Sequence, residues 1–537
     1  MAERLFFSAD ASHRIGSFDH GLGLIDVSMT DEAIELLRKP ATVSAYRNEP
    51  LRLKRRLLEL TNYAHEHRHY LDTFGTLSGI GVYAARLGCI GRFTDVALQL
   101  LVDGVAWRLP LSAWAREPDC PPPVRRLLRF VRSHRIGADF FFGAYPRFTV
   151  AGHRKEAWLD LPVHHGTPAQ ASQEQHPQDQ GYHVPAFPFS MAIARQGADG
   201  EPSVRPFTVV YPIGYEALLE GTAQAMAREL VEAMFPSVPY DFLVEHRQVG
   251  QHDENEDDEH RFQRIADALP PYNVTDLLVS KYLRGHGIDK FPRELLLKLT
   301  DAGLASGGLQ LRDVDDTTTM AHILCPARAF VDQLAETPAQ RLGRGETDFP
   351  QACQDAYAGL LAAMRKGGDW QTVARPDAIY SAVRVWESFL AQNVTVPLLQ
   401  KRIDTGHASF QVQDEAVQEI FDMGRPCVQV FNGKIEFRHV PPPVQTAWAR
   451  QMMLGEITQQ LFSDATTFLC PRANRLLPGM DSVDFAHGHC NRNERRGCGS
   501  WAPGRDAEVP DCMFRECLTA YGFIALEPAA AGPGNGA

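Results

Sequence analysis

From Leu51 to about Phe74 apolar residues recur with helical spacing. Leu51, Leu53, Leu57, Leu58 and Leu60 fill the first half, and the basic run Lys54-Arg55-Arg56 falls among them as a solvated face. A second helical stretch runs from Ser78 to Val105, weakened by Gly79, Gly81 and Gly88. Asp31 to Arg38 predicts a short helix, capped by Thr30 or Asp31 and stopped by Pro40. Pro121-Pro122-Pro123 breaks the chain and starts a helix through about Ser133. The mixed aromatic pattern from Ile136 to Leu161 predicts short strands, and 204–210 reads as a strand despite Pro206. Leu219, Ala223, Met226, Leu230 and Met234 then recur with helical spacing until Pro236.

The second half is more uniform. After an acidic, nearly apolar-free run, Gln251 to His260, helices are predicted at 261–269, 273–284, 291–303, 318–336, 351–366 and 376–392. Val428 to Phe431 and Lys434 to Phe437 alternate about Asn432-Gly433, the signature of a hairpin with a type I′ turn. A helix from about Val444 to Phe462 follows, 165–181 reads as a polar loop, and 529–537 as a disordered tail. The fold class expected is α+β, mainly α-helical.

Composition changes this picture little. The chain has 537 residues, enough for roughly two to four domains, and its 44% hydrophobic residues support sizeable cores. A net charge of −12 gives no reason to expect nucleic acid as a partner. No apolar run approaches the roughly 20 residues needed to span a bilayer, and the start, Met1 to Ser8, lacks a targeting pattern. The expectation is a cytoplasmic protein, away from membranes, with its ten cysteines reduced.

The candidate chemistry lies in the second half of the helix predicted from Leu51 to about Phe74. His65, Glu66 and His69 spell His-Glu-x-x-His. Residues four apart share a helical face, so both imidazoles can aim at one Zn²⁺. Glu66 could then serve a bound water as general base and later return the proton to a leaving amine. Asp72 continues the same face and could orient an imidazole N–H; the competing reading pairs it with Arg68 or has it cap a turn. His67 points away and is expected on the surface or in local packing.

No third ligand follows immediately. Metzincins continue His-x-x-Gly-x-x-His, whereas Asp72 and Gly75 stand here. A di-iron reading through Glu66-x-x-His69 finds an exact downstream echo in Glu436-x-x-His439, on a hairpin where residues three apart face opposite sides. The segment Tyr215-Glu216-Ala-Leu-Leu-Glu220-Gly221-Thr-Ala223 resembles the glutamate helix of gluzincin metallopeptidases, in which Glu followed by Gly-x-Ala supplies the third zinc ligand. That resemblance implies Glu220 as the ligand, with Glu216, one turn earlier, as the substitute. Gly221 and Ala223 would let the two helices approach closely. A plain solvated glutamate pair at a helix start is the competing reading. About 150 residues separate His69 from Glu220, long for many gluzincins. Tyr211 and Tyr215 before the glutamate helix, and His164, His165, Tyr182 and His183 beside the polar loop, are the candidate oxyanion stabilisers; Tyr215 is the one taken forward, against a simple packing role.

On this resemblance residues 1–250 form a zincin-like metallopeptidase domain, with a small sheet on the motif helix and the glutamate helix beside it. Residues 260–465 form a mainly helical accessory region containing the hairpin, and 466–528 a Cys-rich segment. Cys490, Cys498, Cys512 and Cys517 could hold a second, structural zinc, although no Cys-x-x-Cys knuckle is present; ordinary buried thiols are the alternative. The function expected is a zinc-dependent hydrolase, an intracellular peptidase acting on a peptide or protein and open to control by a protein regulator. The rival is a non-enzymatic regulatory or interaction protein with a structural or vestigial metal site.

Overall fold

A computed structural model describes residues 16–19, 23–142, 148–150, 186–196, 202–236, 270–292, 294–313, 319–348, 351–367, 371, 379–405, 426–432, 434–463, 465–466, 468–469, 500–501 and 513–523. It is mainly helical with small sheets. The first helix, α1 (Asp31–Arg38), is capped by Thr30, whose side chain accepts from the Ala33 amide. The motif helix, α2 (Pro50–Gly75), starts on proline, whose missing N–H costs nothing at a first turn. From Tyr63 to Gly75 every residue except Glu66 is buried. The basic run at its start is not one solvated face: Arg55 is exposed, Lys54 is buried, and Arg56 pairs with Glu32 and Glu59.

Thr76 is extended and separates α2 from α3 (Leu77–Val102). Its hydroxyl donates to the Asp72 carbonyl at 2.6 Å and accepts from the Gly79 amide at 3.0 Å. Gly79 is required there, since a Cβ would sit 2.3 Å from the Asp72 carbonyl oxygen. Despite its glycines α3 is continuous. The next helix, α4 (Pro122–Phe142), runs beyond the expected end, so helix replaces strand from Ile136 to Phe142. The aromatic run there has β propensity, but Phe141 is buried against Tyr215, and tertiary burial overrides propensity.

Two meandering strands, β1 (Gly16–Asp19) and β2 (Leu24–Val27), lie on α2, with Phe18 against His69 and Tyr70. A three-stranded antiparallel sheet follows, from β3 (Phe148–Val150), β4 (Ala186–Gln196) and β5 (Pro202–Pro212), in the order β3-β5-β4. Pro206 falls beyond the β5 residues that pair with β3, where the strand has a neighbour on one side only among the described residues. An edge of that kind tolerates a residue without an N–H. The glutamate helix, α5 (Tyr215–Met234), then packs on α2.

Beyond it come α6 (Pro270–Gly285), α7 (Glu294–Ser306), the hairpin β6 (Gly308–Asp313) and β7 (Thr319–Leu324), and α8 (Pro326–Glu336). The helix expected over 318–336 therefore divides. Pro326 supplies a first turn but no donor for a preceding one, and the residues before it pair with β6 instead. Next are α9 (Gln351–Arg365), α10 (Ala382–Leu390) and α11 (Val396–Thr405), the last two joined by a single π turn, Ala391–Thr395. The predicted hairpin is present as β8 (Val428–Phe431) and β9 (Lys434–Phe437), with Asn432 at φ 50° as its turn requires. It is followed by α12 (Pro442–Phe462) and α13 (Met513–Ala520).

The hairpin does not stand alone. Strand β8 pairs in parallel with β2, completing a sheet in the order β1-β2-β8-β9. Asn432 seals that contact through paired 2.8 Å bonds to the Met29 amide and carbonyl. One hydrophobic cluster accordingly runs from Phe18 through Trp386 and Trp448 to Phe523. Elements on both sides of the acidic run share it. That run, the polar loop 165–181, the predicted helix 261–269 and the tail 529–537 lie outside the described residues.

Gly221 sets the seat of α5 on α6 rather than on α2. A Cβ at Gly221 would lie 2.1 Å from Thr275 Oγ1 and 3.2 Å from its Cβ. Gly221→Ala gains about 1 kcal/mol of helix propensity but overpacks this contact. A net loss of about 1–2 kcal/mol is expected in urea unfolding. Thr275→Ala in the same chain should recover most of it, because the closest atom is then gone.

Candidate metal centre

Helices α2 and α5 bring His65, His69 and Glu220 together, as the spacing and the resemblance anticipate. The turn of α2 places the two rings 4.5 Å apart and nearly perpendicular. Both present Nε2 to the same carboxylate oxygen. His65 Nε2 lies 2.9 Å from Glu220 Oε2, His69 Nε2 lies 3.4 Å from it, and the two nitrogens are 3.0 Å apart. A tetrahedral zinc ion with ordinary bond lengths separates its ligands by about 3.3 Å. The three atoms therefore nearly hold the spacing of one face of such a site. Two neutral imidazoles and a carboxylate are also a donor set that suits Zn²⁺. His65 and His69 are buried, and Glu220 is partly open, its side chain 15% exposed.

Electrostatics supports the convergence. Burial alone would push the His69 pKa down, but the Glu220 carboxylate, with Glu66 and Asp72 behind it, more than offsets this and the net shift is up. Burial would likewise raise the Glu220 carboxyl. The charge on His69 and the bonds from both histidines outweigh it and hold the carboxyl well below its ordinary range. Both shifts favour a protonated His69 beside an ionised Glu220. The stability contributed by His69 is complete below its unfolded pKa and is lost as pH rises through the elevated one. That contributed by Glu220 is complete above its unfolded pKa and is lost as pH falls through the depressed one.

The remaining candidates fall into place around this centre. Glu66 is half-buried on α2 and its carboxylate is close enough to influence His69. Glu216 is buried one turn before Glu220 and is not part of the converging group. Tyr215 is fully buried, its hydroxyl hydrogen-bonded to Thr73 and its ring tilted against Phe141. The packing reading describes that placement. His67 is buried and packs locally, between Tyr63 and Tyr70. Glu436 of the di-iron alternative accepts a bond from Gln429 on the hairpin. Cys517 is buried in the hydrophobic core, while Cys490, Cys498 and Cys512 lie outside the described residues.

Asp72 is paired with arginines. Its carboxylate is completely buried and bonded to two guanidiniums: Arg68 Nε at 2.9 Å and Arg402 Nη2 at 3.3 Å. This is the Arg68 pairing of the competing reading, moved from surface to interior. Burial pushes the Asp72 pKa up despite both cations. Arg68 could be read from spacing alone, standing four residues before Asp72. Arg402 and its second partner Asp301 carried no signal, because 330 residues separate Arg402 from Asp72.

Metal must displace the proton that His69 holds unusually tightly. Zinc affinity is therefore expected to weaken as pH falls through the raised pKa of His69, a window lying higher than for an ordinary histidine. Zinc addition should release protons into a weakly buffered solution, and calorimetric titration across that range checks both. No family model matches the chain, and comparison with curated proteins and with solved structures gave no match.

Proposed function

We propose that this chain is a zinc-dependent hydrolase of the gluzincin type, cleaving peptide bonds in a peptide or protein substrate. The convergence of His65, His69 and Glu220 from two helices distant in sequence is the observation that carries this reading. The donor set favours a catalytic role, because structural zinc sites are closed by four ligands and draw mainly on cysteine. Bound zinc would supply a water of lowered pKa and a polarised carbonyl.

The work of the chain itself then falls to a few residues. His65, His69 and Glu220 hold the ion. Glu66, next to one ligand and three residues before the other, is the carboxylate that takes a proton from the attacking water. It returns that proton to the leaving nitrogen as the C–N bond breaks, so the carboxylate is regenerated. We place the activity in the cytoplasm. The six described cysteines are buried with no disulfide among them, and no described helix is long and apolar enough to cross a membrane.

Elemental analysis of purified protein should find one zinc per chain, lost in His65→Ala, His69→Ala and Glu220→Ala. Glu66→Gln should keep the zinc while cleavage of a mixed peptide library falls by about 10²–10⁴-fold. Zinc retained in all three alanine variants would remove the metal centre. Zinc present, with no cleavage by wild type, would leave a non-enzymatic metal protein.

A further inference from the structure

Directly below the candidate ligands the motif helix carries a closed ring of four buried charges. Arg68 bonds Asp72 at 2.9 Å and Asp301 at 3.2 Å; Arg402 bonds Asp301 at 2.6 Å and Asp72 at 3.3 Å. Every one of these side chains is 5% exposed or less. Arg68 and Asp72 belong to α2, Asp301 to α7 and Arg402 to α11. Asp72 follows His69 by three residues and His65 by seven, so ring and ligands occupy neighbouring turns of one helical face.

Such a ring is a poor source of stability. Desolvating four charges costs about as much as their attraction returns, and a well-packed apolar cluster often does better. It does supply direction. A guanidinium presents a planar fork of donors, and each carboxylate here receives bonds from two helices. Apolar contacts let a helix slide or turn on its neighbour; a bonded ring does not. A metal site needs that fixity, because ligands left about 1 Å loose no longer define it.

We infer that Arg402 and Asp301 are positioning residues for the metal centre: through Asp72 and Arg68 they fix the rotation and height of α2, and so aim His65 and His69 at Glu220. This rests on the proposed metal reading. It makes the second half of the chain a working part of the centre.

The test measures Zn²⁺ affinity by chelator competition, and the visible spectrum of Co²⁺-loaded protein as a report on ligand geometry. Arg402→Met should weaken Zn²⁺ binding by tenfold or more and change the Co²⁺ spectrum. Arg402→Lys, which keeps the charge but not the fork, should restore part of both. Asp301→Asn with Arg402→Gln keeps the ring neutral and serves as the deciding variant should Arg402→Met not fold. Phe523→Leu, in the remote stack with Phe93 and Trp107, lowers stability by another route and should leave affinity and spectrum unchanged. Folded ring variants with wild-type affinity and spectrum would overturn this inference alone. Wild type that binds no metal would overturn the metal reading and the inference together.

Discussion

A carboxylate held between two imidazoles at the contact of α2 and α5 sets the terms for the surrounding structure. Glu220 reaches His65 and His69 only because the two helices lie side by side, and both rings turn the same nitrogen toward it. Three polar groups placed this deep are costly unless they satisfy one another or share an ion. The local answer is a cluster whose members favour one another's charge, His69 shifted toward its protonated form and Glu220 toward its ionised one. Each interaction that favours the proton there would also favour a metal cation in its place.

The neighbourhood is built to keep α2 from moving. Its far end is stopped by Thr76 and pressed against α3 at Gly79, where only a residue without a side chain fits. One face is covered by β1 through Phe18, and that sheet is completed by β8 from the other end of the chain. The C-terminal side of the ligand face is tied into the Arg68–Asp72–Arg402–Asp301 ring. Glu220 has supports beyond the motif helix: Gly221 seats α5 on α6 through Thr275, while Tyr215 ties it both to Thr73 of α2 and to Phe141 of α4. The two halves of the centre thus share one contact and have others of their own, and much of that support comes from residues after 260.

Legibility in the sequence followed the range of the interaction. The helix from Pro50 to Gly75 could be read because its apolar spacing and its His-Glu-x-x-His motif are local. The hairpin at Asn432 could be read because a two-residue turn with positive φ selects Asn-Gly. Misreadings arose where a neighbour overrode local preference. Phe140 to Phe142 look like strand until Phe141 finds Tyr215, and Thr319 to Leu324 look like helix until they pair with β6. Lys54 looks like surface in a basic run and is buried, since a long helix wrapped by neighbours on several sides has little surface to offer.

The sequence by itself determined which residues could bind a metal and that two of them share a helical face, because 3.6 residues per turn is a property of the backbone alone. Supplemented by a family resemblance, it also pointed to Glu220. Only the tertiary structure decided that Glu220, and not Glu216, meets the histidines. Nothing local to α5 distinguishes two carboxylates one turn apart; the distinction comes from the height at which α5 crosses α2. It likewise decided that Asp72 faces two arginines instead of an imidazole. Arg402 and Asp301 reach it from two distant helices, and buried charge is tolerated only where opposite charge arrives to meet it.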